Sequence, residues 1–193
     1  MSRDKEKDRQ IEQLIEGCIS GNRDDQGRLY QLYCSKMFAV CLYYAKDQTE
    51  AEDILHDGFM KVYKYLKQFQ AKGSFEGWIK RIMINTALER FRKQNYMYSV
   101  EDVFEYVEDE GYENVVSSIN FQDLLDVIRE LSPQYRMVFN LYAIEGHSHK
   151  EIADKLEISV GTSKSNLARA RKILQEKVLK KFSIPESNRK MVI

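Results

Sequence analysis

The 193-residue chain has few of the residues on which tight turns depend. It contains only two prolines, Pro133 and Pro185, and nine glycines. An all-β fold requires many tight turns, whereas long helices require few. We therefore expect an all-α protein, with enough apolar residues for one or two domains.

Long apolar runs are also absent. The longest uncharged run near the start of the chain covers 37–45, whereas about 20 apolar residues are needed to span a bilayer. Seven of the first ten residues are charged and no apolar segment follows, which is unlike a secretory signal peptide. We expect no membrane insertion and a cytoplasmic location.

Cysteine and histidine are too few and too scattered for a recognised metal or catalytic site. The cysteines form no CxxC pair, and an odd number does not suit a disulfide framework. The motifs HExxH, GxSxG and GxxxxGKS/T are all absent. We expect no enzyme activity, no cofactor and no metal. We interpret the cysteines as small buried apolar residues: Cys18, Cys34 and Cys41.

The charges balance over the whole chain but are segregated along it. The 30 basic and 30 acidic residues give a formal net charge of zero. Five basic residues stand against one Glu in 78–93, and seven stand against one Glu in 159–181. Between them, 94–128 holds nine acidic residues and no Lys or Arg. This pattern is typical of two nucleic-acid-binding modules joined by a linker, although solvated helix faces also produce it.

Apolar residues at helical spacing predict a first domain of four helices over 10–95, in which the apolar segment 37–45 belongs to a central helix. Thr49 with Glu52 has the spacing of a capping box, as does Ser148 with Glu151. The acidic stretch 96–119 has no sustained period, and we interpret it as a flexible linker.

The second predicted domain, 120–182, ends in a pattern typical of a helix-turn-helix. A short helix bearing Ile152 and Ala153 is followed by the turn 157–159 and a long basic helix from Val160. In such motifs the first helix braces the second, whose start enters the DNA major groove. A purely structural helical hairpin has the same pattern.

Two features of the first domain have alternative interpretations. Trp78, the only tryptophan, can stack on unpaired bases, but a place in the core is favoured because it shares a helix face with Ile82. Asn85 lies four residues from both Arg81 and Glu89, so this stripe either contacts nucleic acid or is a solvated face.

Three segments resemble the extracytoplasmic-function sigma factors of bacterial RNA polymerase, which belong to the sigma-70 superfamily. They are AEDILHDGFMKVYKYL at 51–66, GSFEGWIKRIMINTALERFRK at 73–93 and LSPQYRMVFNLYAIEGHSHKEIADKLEISVGTSKSNLARARKIL at 131–174. The resemblance covers most of the chain in the family's order. It is therefore more specific than a lone helix-turn-helix.

The resemblance implies a sigma-two domain at 10–95 and a sigma-four domain at 120–182. In this family the third helix docks on core RNA polymerase, and the matching residues are Asp53, His56 and Asp57. The residues that match the region melting and reading the promoter minus-ten element are Lys72, Ser74, Trp78, Arg81, Asn85, Arg92 and Lys93. Those that match the reader of the minus-thirty-five element are Thr162, Lys164, Ser165, Asn166 and Arg169.

The resemblance also implies the partners: core RNA polymerase, promoter DNA and an anti-sigma factor that clamps the two domains. The acidic linker matches the segment that the family threads through the RNA exit path of the polymerase. Two other function classes stay open. One is a stand-alone helix-turn-helix regulator, and the other is an interaction scaffold whose basic stripes bind acidic proteins.

Four positions depart from the family pattern. Glu157 stands where Gly is common, and His56 stands where Gln is common. Ser163 replaces a branched apolar residue, so we expect weaker packing beneath the recognition helix. Asn166 replaces an Arg, and its amide suits adenine better than guanine or a phosphate.

Overall fold

The computed structural model describes residues 2–97 and 121–181 of the protein. Over these residues the chain is mostly helical and contains no β-strand, which confirms the predicted all-α fold. The linker expected at 96–119 lies outside the described residues except for its first two positions. The end of the chain after 181 lies outside them as well.

The helices divide into two groups. Those of the first half are α1 (Ser2–Ile19), α2 (Arg23–Tyr44), α3 (Gln48–Tyr65), a 3-10 turn (Leu66–Gln68) and α4 (Phe75–Met97). Those of the second half are α5 (Phe121–Arg129), α6 (Pro133–Phe139), a π-helical turn (Asn140–Ile144), α7 (His149–Leu156) and α8 (Val160–Lys181). Contacts divide the chain into two compact units, 1–87 and 88–193, so the division falls within α4. The domain limits 10–95 and 120–182 stay predictions.

The core of the first unit is built around α2, which packs against both α1 and α3. Its segment 37–45 has no exposed residue, as expected for a central helix. Buried side chains recur every three or four residues along α2, which is the spacing of one helix face. They are Leu29, Tyr33, Met37, Cys41 and Tyr44.

A glycine lets α3 and α4 approach each other closely. Gly58 is buried on α3, and a Cβ atom at this position would overlap with Sδ of Met83 on α4. Met83 has no exposed surface, so its side chain has little room to move away. Any larger residue at position 58 would therefore push the two helices apart.

The cap of α3 differs from the prediction. Oδ1 of Asp47 accepts a hydrogen bond from the N–H of Glu50 at 2.8 Å, and the Glu50 carboxylate accepts one from the N–H of Lys46 at 2.7 Å. Thr49 lies inside the first helical turn because Asp47 has the extended backbone of a cap residue, with φ −148°. The capping pair is thus two residues earlier than Thr49 and Glu52.

The core of the second unit is formed around one face of α8. Leu167, Ala170, Leu174 and Val178 are buried along this face, and α8 packs against α5, α6 and α7. The helices beneath it contribute a set of buried apolar side chains: Leu125, Val127, Ile128, Met137, Val138, Ile152, Ala153 and Leu156. The second unit therefore has an apolar core of its own.

Two of the three cysteines are buried, as predicted. Burial raises the pKa of the Cys18 thiol to about 11 and that of Cys41 to about 12. Cys34 is partly exposed, contrary to the prediction, because it follows the buried Tyr33 and turns toward the flank of α2. All three are free thiols.

The turn between α7 and α8 contains a left-handed residue. Glu157 has φ 59° and ψ 43°, and its backbone N–H donates to the carbonyl of Ala153. The N–H of Ile158 donates to the same carbonyl at 3.1 Å. This conformation at a helix end favours glycine, so the Gly that is common in the family at this position has a steric reason.

We expect Glu157→Gly to raise the free energy of unfolding by about 0.5–1 kcal/mol. A left-handed residue with a side chain costs about 1–2 kcal/mol, and the extra freedom of glycine in the unfolded chain cancels part of the gain. Urea unfolding monitored by circular dichroism measures the change. The matched control is Glu157→Ala, which removes the carboxylate but keeps the backbone strain. Equal stabilisation by Ala and Gly would show that the backbone is not the cause.

Candidate functional site

One face of α3 carries a row of exposed side chains. Asp53, His56 and Asp57 all lie on it, opposite the buried residues of this helix. Met60 follows them and is 58% exposed, whereas the adjacent Phe59 is buried. We call Asp53, His56, Asp57 and Met60 the α3 face. The structure thus brings the three predicted residues together and adds an apolar one.

Met60 was not among the predicted site residues, although the helical spacing contains a signal for it. It lies seven residues after Asp53 and four after His56, which places it on the same face. An exposed methionine on a polar face is typical of a binding surface, because its flexible side chain adapts to a partner. A search for charged residues alone misses it.

The start of α4 and the loop before it contain an aromatic cluster. Trp78 is half-buried and stacks on Phe75, with 5.7 Å between ring centroids and 19° between ring planes. The ring of Phe69 lies 5.5 Å from that of Trp78 and 5.0 Å from that of Phe75. Trp78 therefore packs on the core and also reaches the surface. Lys72 and Ser74, in the same loop, are exposed.

An open cavity of about 840 Å³ lies between α1, α2 and this loop. The aromatic rings of Tyr33, Phe69 and Phe75 are among its lining. Lys36 and Glu76 also line it and form an ion pair, with Nζ 2.6 Å from Oε2. Its volume is within the range of about 300–1,000 Å³ that is typical of sites for small molecules.

Further along α4, Arg81 and Asn85 are exposed and lie one helical turn apart in the first unit. Lys93, which belongs to the second unit, is also exposed. A guanidinium and an amide one turn apart can contact phosphates or the edges of bases. These three residues are thus accessible to a nucleic acid.

Arg92 is engaged within the second unit. Its Nη1 atom donates to the main-chain oxygen of Lys155 at 3.3 Å and lies 3.1 Å from Oε1 of Glu157. The side chain is half-buried as a result. In this arrangement the guanidinium of Arg92 is less available to solvent than the exposed side chains of Arg81, Asn85 and Lys93.

The start of α7 is fixed by the predicted capping box, which the structure confirms. The N–H of Glu151 donates to the Ser148 hydroxyl at 3.3 Å, and the N–H of Ser148 donates to the Glu151 carboxylate at 2.8 Å. The hydrogen bond from the Ser148 N–H, then that from its hydroxyl, lower the pKa of Glu151 below its ordinary value. Both partners thus hold the bracing helix of the helix-turn-helix at its first turn.

Four of the five residues predicted on α8 are at least partly accessible. Lys164 is exposed, whereas Thr162, Ser165 and Arg169 are half-buried. The Ser165 hydroxyl donates to the Thr162 carbonyl at 3.1 Å, and Nη1 of Arg169 donates to the Tyr135 hydroxyl at 3.3 Å. The accessible residues lie within the first three turns of the basic helix.

Asn166 differs from the expectation that its side chain is placed toward DNA. It is only 6% exposed. The reason is its spacing, because it lies three residues after Ser163 and four before Ala170, both of which are buried on the inner face of α8. The family resemblance identifies the position, but the helix turns this side chain inward.

Ser163 is buried as expected, but it does not leave its polar group without a partner. Its side chain has no exposed surface, and its hydroxyl oxygen lies 3.0 Å from Nδ1 of His149. Val160, the first residue of α8, is 42% exposed and was not among the predicted site residues. Its position at the start of a basic helix after a turn is the signal that could have identified it.

Residues 2–97 and 121–181 contain neither a metal-binding cluster nor a membrane-spanning helix. Within these ranges no group of three or more His, Cys, Asp or Glu side chains is arranged to hold a metal ion. No helix in the same ranges has both the length and the apolar character needed to cross a membrane.

Comparison with known proteins identifies both units. The model for sigma-70 region 2 matches residues 29–96, and the model for sigma-70 region 4 matches residues 121–174. Together the two matches cover more than half of the chain.

Two curated relatives match over most of this chain. The ECF RNA polymerase sigma factor SigW of Bacillus subtilis is 26% identical over 180 residues, which is 87% of this chain and 96% of that protein. The ECF RNA polymerase sigma factor SigE of Mycolicibacterium smegmatis is 28% identical over 160 residues, which is 80% of this chain and 62% of that protein.

A solved structure of the sigma factor RpoE, in complex with the anti-sigma factor NepR from Bartonella quintana, has a TM-score of 0.48 and 25% identity. The alignment covers 80% of this chain and 96% of that one. From the two sigma-70 regions, which match in order, and from the ECF relatives, we conclude that the chain belongs to the extracytoplasmic-function (ECF) sigma factors, which direct bacterial RNA polymerase to promoters.

Proposed function

We propose that this sigma factor binds core RNA polymerase through the α3 face and reads a promoter with two separate surfaces. The observation that carries the proposal is the match of sigma-70 regions 2 and 4 to successive parts of the chain, 29–96 and 121–174. The chain itself performs no catalysis in this proposal. It acts in the cytoplasm, where the bacterial polymerase and its promoters are found.

The α3 face combines charge with one apolar side chain. The carboxylates of Asp53 and Asp57 suit a basic surface on the polymerase, and complementary charge speeds association and selects the partner. Met60 supplies the apolar contact that is removed from water when the surfaces meet. His56, between them, takes the place of the glutamine that is common in the family.

The first unit presents the surface for the minus-ten element. In this proposal an unpaired base of the melted promoter stacks on the aromatic cluster or enters the cavity beside it. Stacking of this kind is worth about 1–3 kcal/mol per base, which offsets the cost of unpairing. Arg81 and Asn85 then contact the strand, and the exposed Lys72 and Ser74 lie on the loop that approaches it.

The start of α8 presents the surface for the minus-thirty-five element. A recognition helix enters the major groove with its first residues, and these are Val160, Thr162 and Lys164 here. Lys164 suits a phosphate or guanine, whereas the apolar side chain of Val160 suits the methyl group of a thymine. Because Asn166 is buried, we leave it out of the proposed base-reading set.

We extend the proposal to an anti-sigma factor as a further partner. Such a protein keeps a sigma factor inactive by covering the surfaces that polymerase and DNA require. The α3 face and the start of α8 are the surfaces of this chain that it would have to cover. Pull-down of core polymerase with and without the candidate partner tests this competition.

The test of the main proposal is transcription of fragmented genomic DNA by bacterial core polymerase with and without the purified chain, with mapping of RNA 5′ ends. We expect chain-dependent start sites that share two upstream sequence elements at a constant spacing. Chain-dependent binding to a palindromic duplex without polymerase would instead indicate a stand-alone helix-turn-helix regulator. Failure to bind core polymerase would overturn the proposal.

Met60→Ser is expected to weaken binding to core polymerase by about five- to thirtyfold, the effect of losing about 1–2 kcal/mol of apolar contact. The side chain is exposed, so the free energy of unfolding should stay nearly unchanged. Fluorescence anisotropy of the labelled chain with core polymerase measures the dissociation constant. Leu32→Ser, at an exposed leucine on α2, is the matched control. An equal loss in both variants would contradict a specific role for Met60.

Val160→Ala is expected to weaken binding of the holoenzyme to its promoter by about three- to tenfold, through the loss of contact with one thymine methyl group. Replacing each thymine of the minus-thirty-five element by deoxyuridine removes only that methyl group. At the contacted position, the replacement should weaken the wild type but not the variant. The control is Ile144→Ala, an exposed residue outside α8. If the effects of Val160→Ala and of the deoxyuridine replacement were additive at every thymine, the contact would be excluded.

A further inference from the structure

A partly buried hydrogen bond joins the first two turns of α8 to the start of α7. The hydroxyl oxygen of Ser163 lies 3.0 Å from Nδ1 of His149, and Ser163 has no exposed surface. A buried hydroxyl costs free energy unless it is hydrogen-bonded, and a hydrogen bond requires a narrow range of distances and angles. The pair therefore specifies one position of α8 against α7, whereas an apolar contact would tolerate small shifts.

A stack of side chains holds the His149 ring. This ring stacks on that of Tyr142, with centroids 4.8 Å apart and 26° between the planes. The guanidinium carbon of Arg171 lies 5.4 Å from the centroid of the Tyr142 ring, which is a cation–π distance. Ser163 and Arg171 are about two helical turns apart on α8. The contacts thus run from α8 through the π-helical turn and α7 and back to α8.

The position of Ser163 governs the residues on either side of it. Thr162 and Lys164 flank it in the sequence, and Lys164 points into solvent. A rotation of α8 that broke the contact between Ser163 and His149 would turn both neighbours about the helix axis. Ser163 is buried in the free protein, so its influence on DNA reading passes through these neighbours.

We propose that Ser163, His149, Tyr142 and Arg171 form a polar clamp that positions the start of α8 for reading the minus-thirty-five element. The inference rests on the proposed function, in which this helix enters the major groove. Ser163 and His149 are positioning residues. Their pairing also changes the interpretation of Ser163, because a polar contact replaces the apolar packing that the family commonly has at this position.

The first test uses two variants that differ only in the presence of the hydroxyl. Ser163→Thr and Ser163→Val add side chains of nearly equal size, so any crowding is common to both. We measure the ratio of holoenzyme affinity for the native promoter to that for a promoter with a scrambled minus-thirty-five element. The Thr variant should keep this ratio within about twofold of the wild type. The Val variant should lower it about five- to tenfold, because the hydrogen bond between residue 163 and Nδ1 of His149 is lost.

A double-mutant cycle in the free protein tests the pairing without DNA. The variants are Ser163→Val, His149→Phe and the two together, compared by urea unfolding. Each single variant removes one polar partner, whereas the double variant removes both. The double variant should therefore have a folding equilibrium constant at least about fivefold larger than additivity predicts.

The two experiments separate the clamp from the function on which it rests. The clamp would be overturned if the Thr and Val variants had the same ratio of affinity for the native promoter to affinity for the scrambled one. Additive effects on unfolding would overturn it too, even if the wild type transcribes from its promoters. A wild type that ignores the scrambled element would overturn the role of α8 in promoter reading, and the positioning role with it. Binding to a template that carries only the minus-ten element should be unchanged in every variant. Equal losses on that template would indicate general unfolding and would also overturn positioning.

Discussion

The contact between Gly58 and Met83 is the constraint on which the proposed binding surfaces of the first unit depend. Of the two helices that meet there, α3 carries the α3 face and α4 carries Trp78, Arg81 and Asn85. The absence of a side chain at Gly58 lets the sulfur of Met83 reach the backbone of α3, so the two helices are closely packed at this point. The contact therefore helps to set the distance between the α3 face and the exposed side chains of α4.

In the second unit, polar contacts set the relative positions of the helices. Its bracing helix begins at a reciprocal hydrogen-bonded pair, Ser148 and Glu151, and its turn contains a left-handed residue, Glu157. The recognition helix is then joined to the bracing helix by the contact of Ser163 with His149. Both ends of α7 and the start of α8 are thus fixed by hydrogen bonds. A hydrogen bond is more sensitive to distance and angle than apolar packing is.

Much of the fold could be predicted from the spacing of apolar residues, because burial of one helix face is a property of local sequence. The helices and the exposed row of Asp53, His56 and Asp57 follow from it, whereas the start of α7 follows from the capping-box spacing of Ser148 and Glu151. The start of α3 does not, since Thr49 and Asp47 are both good caps and only the backbone conformation chooses between them. The family resemblance supplied the proposed roles of the surfaces, which spacing alone left open.

Some side chains lie elsewhere than the sequence indicated, or were not singled out by it. The family resemblance places Asn166 toward DNA, yet the helix period places it inside with Ser163 and Ala170. Ser163 has a partner fourteen residues earlier in the chain, and no local pattern connects the two. Met60 and Val160 are apolar, so a selection of polar and charged site residues omits them although both are exposed. Buried polar residues and exposed apolar residues are the informative departures from the usual distribution.

The single tryptophan is an intrinsic fluorescence probe in this protein. Trp78 is the only indole in the chain, and it is half-buried against Phe69 and Phe75 at the start of α4, near the proposed position of the melted strand. Indole emission responds to the polarity of its surroundings and to stacked rings. The tryptophan emission of the chain therefore originates at one place, and a change in its wavelength or intensity during promoter opening reports on that place without any label.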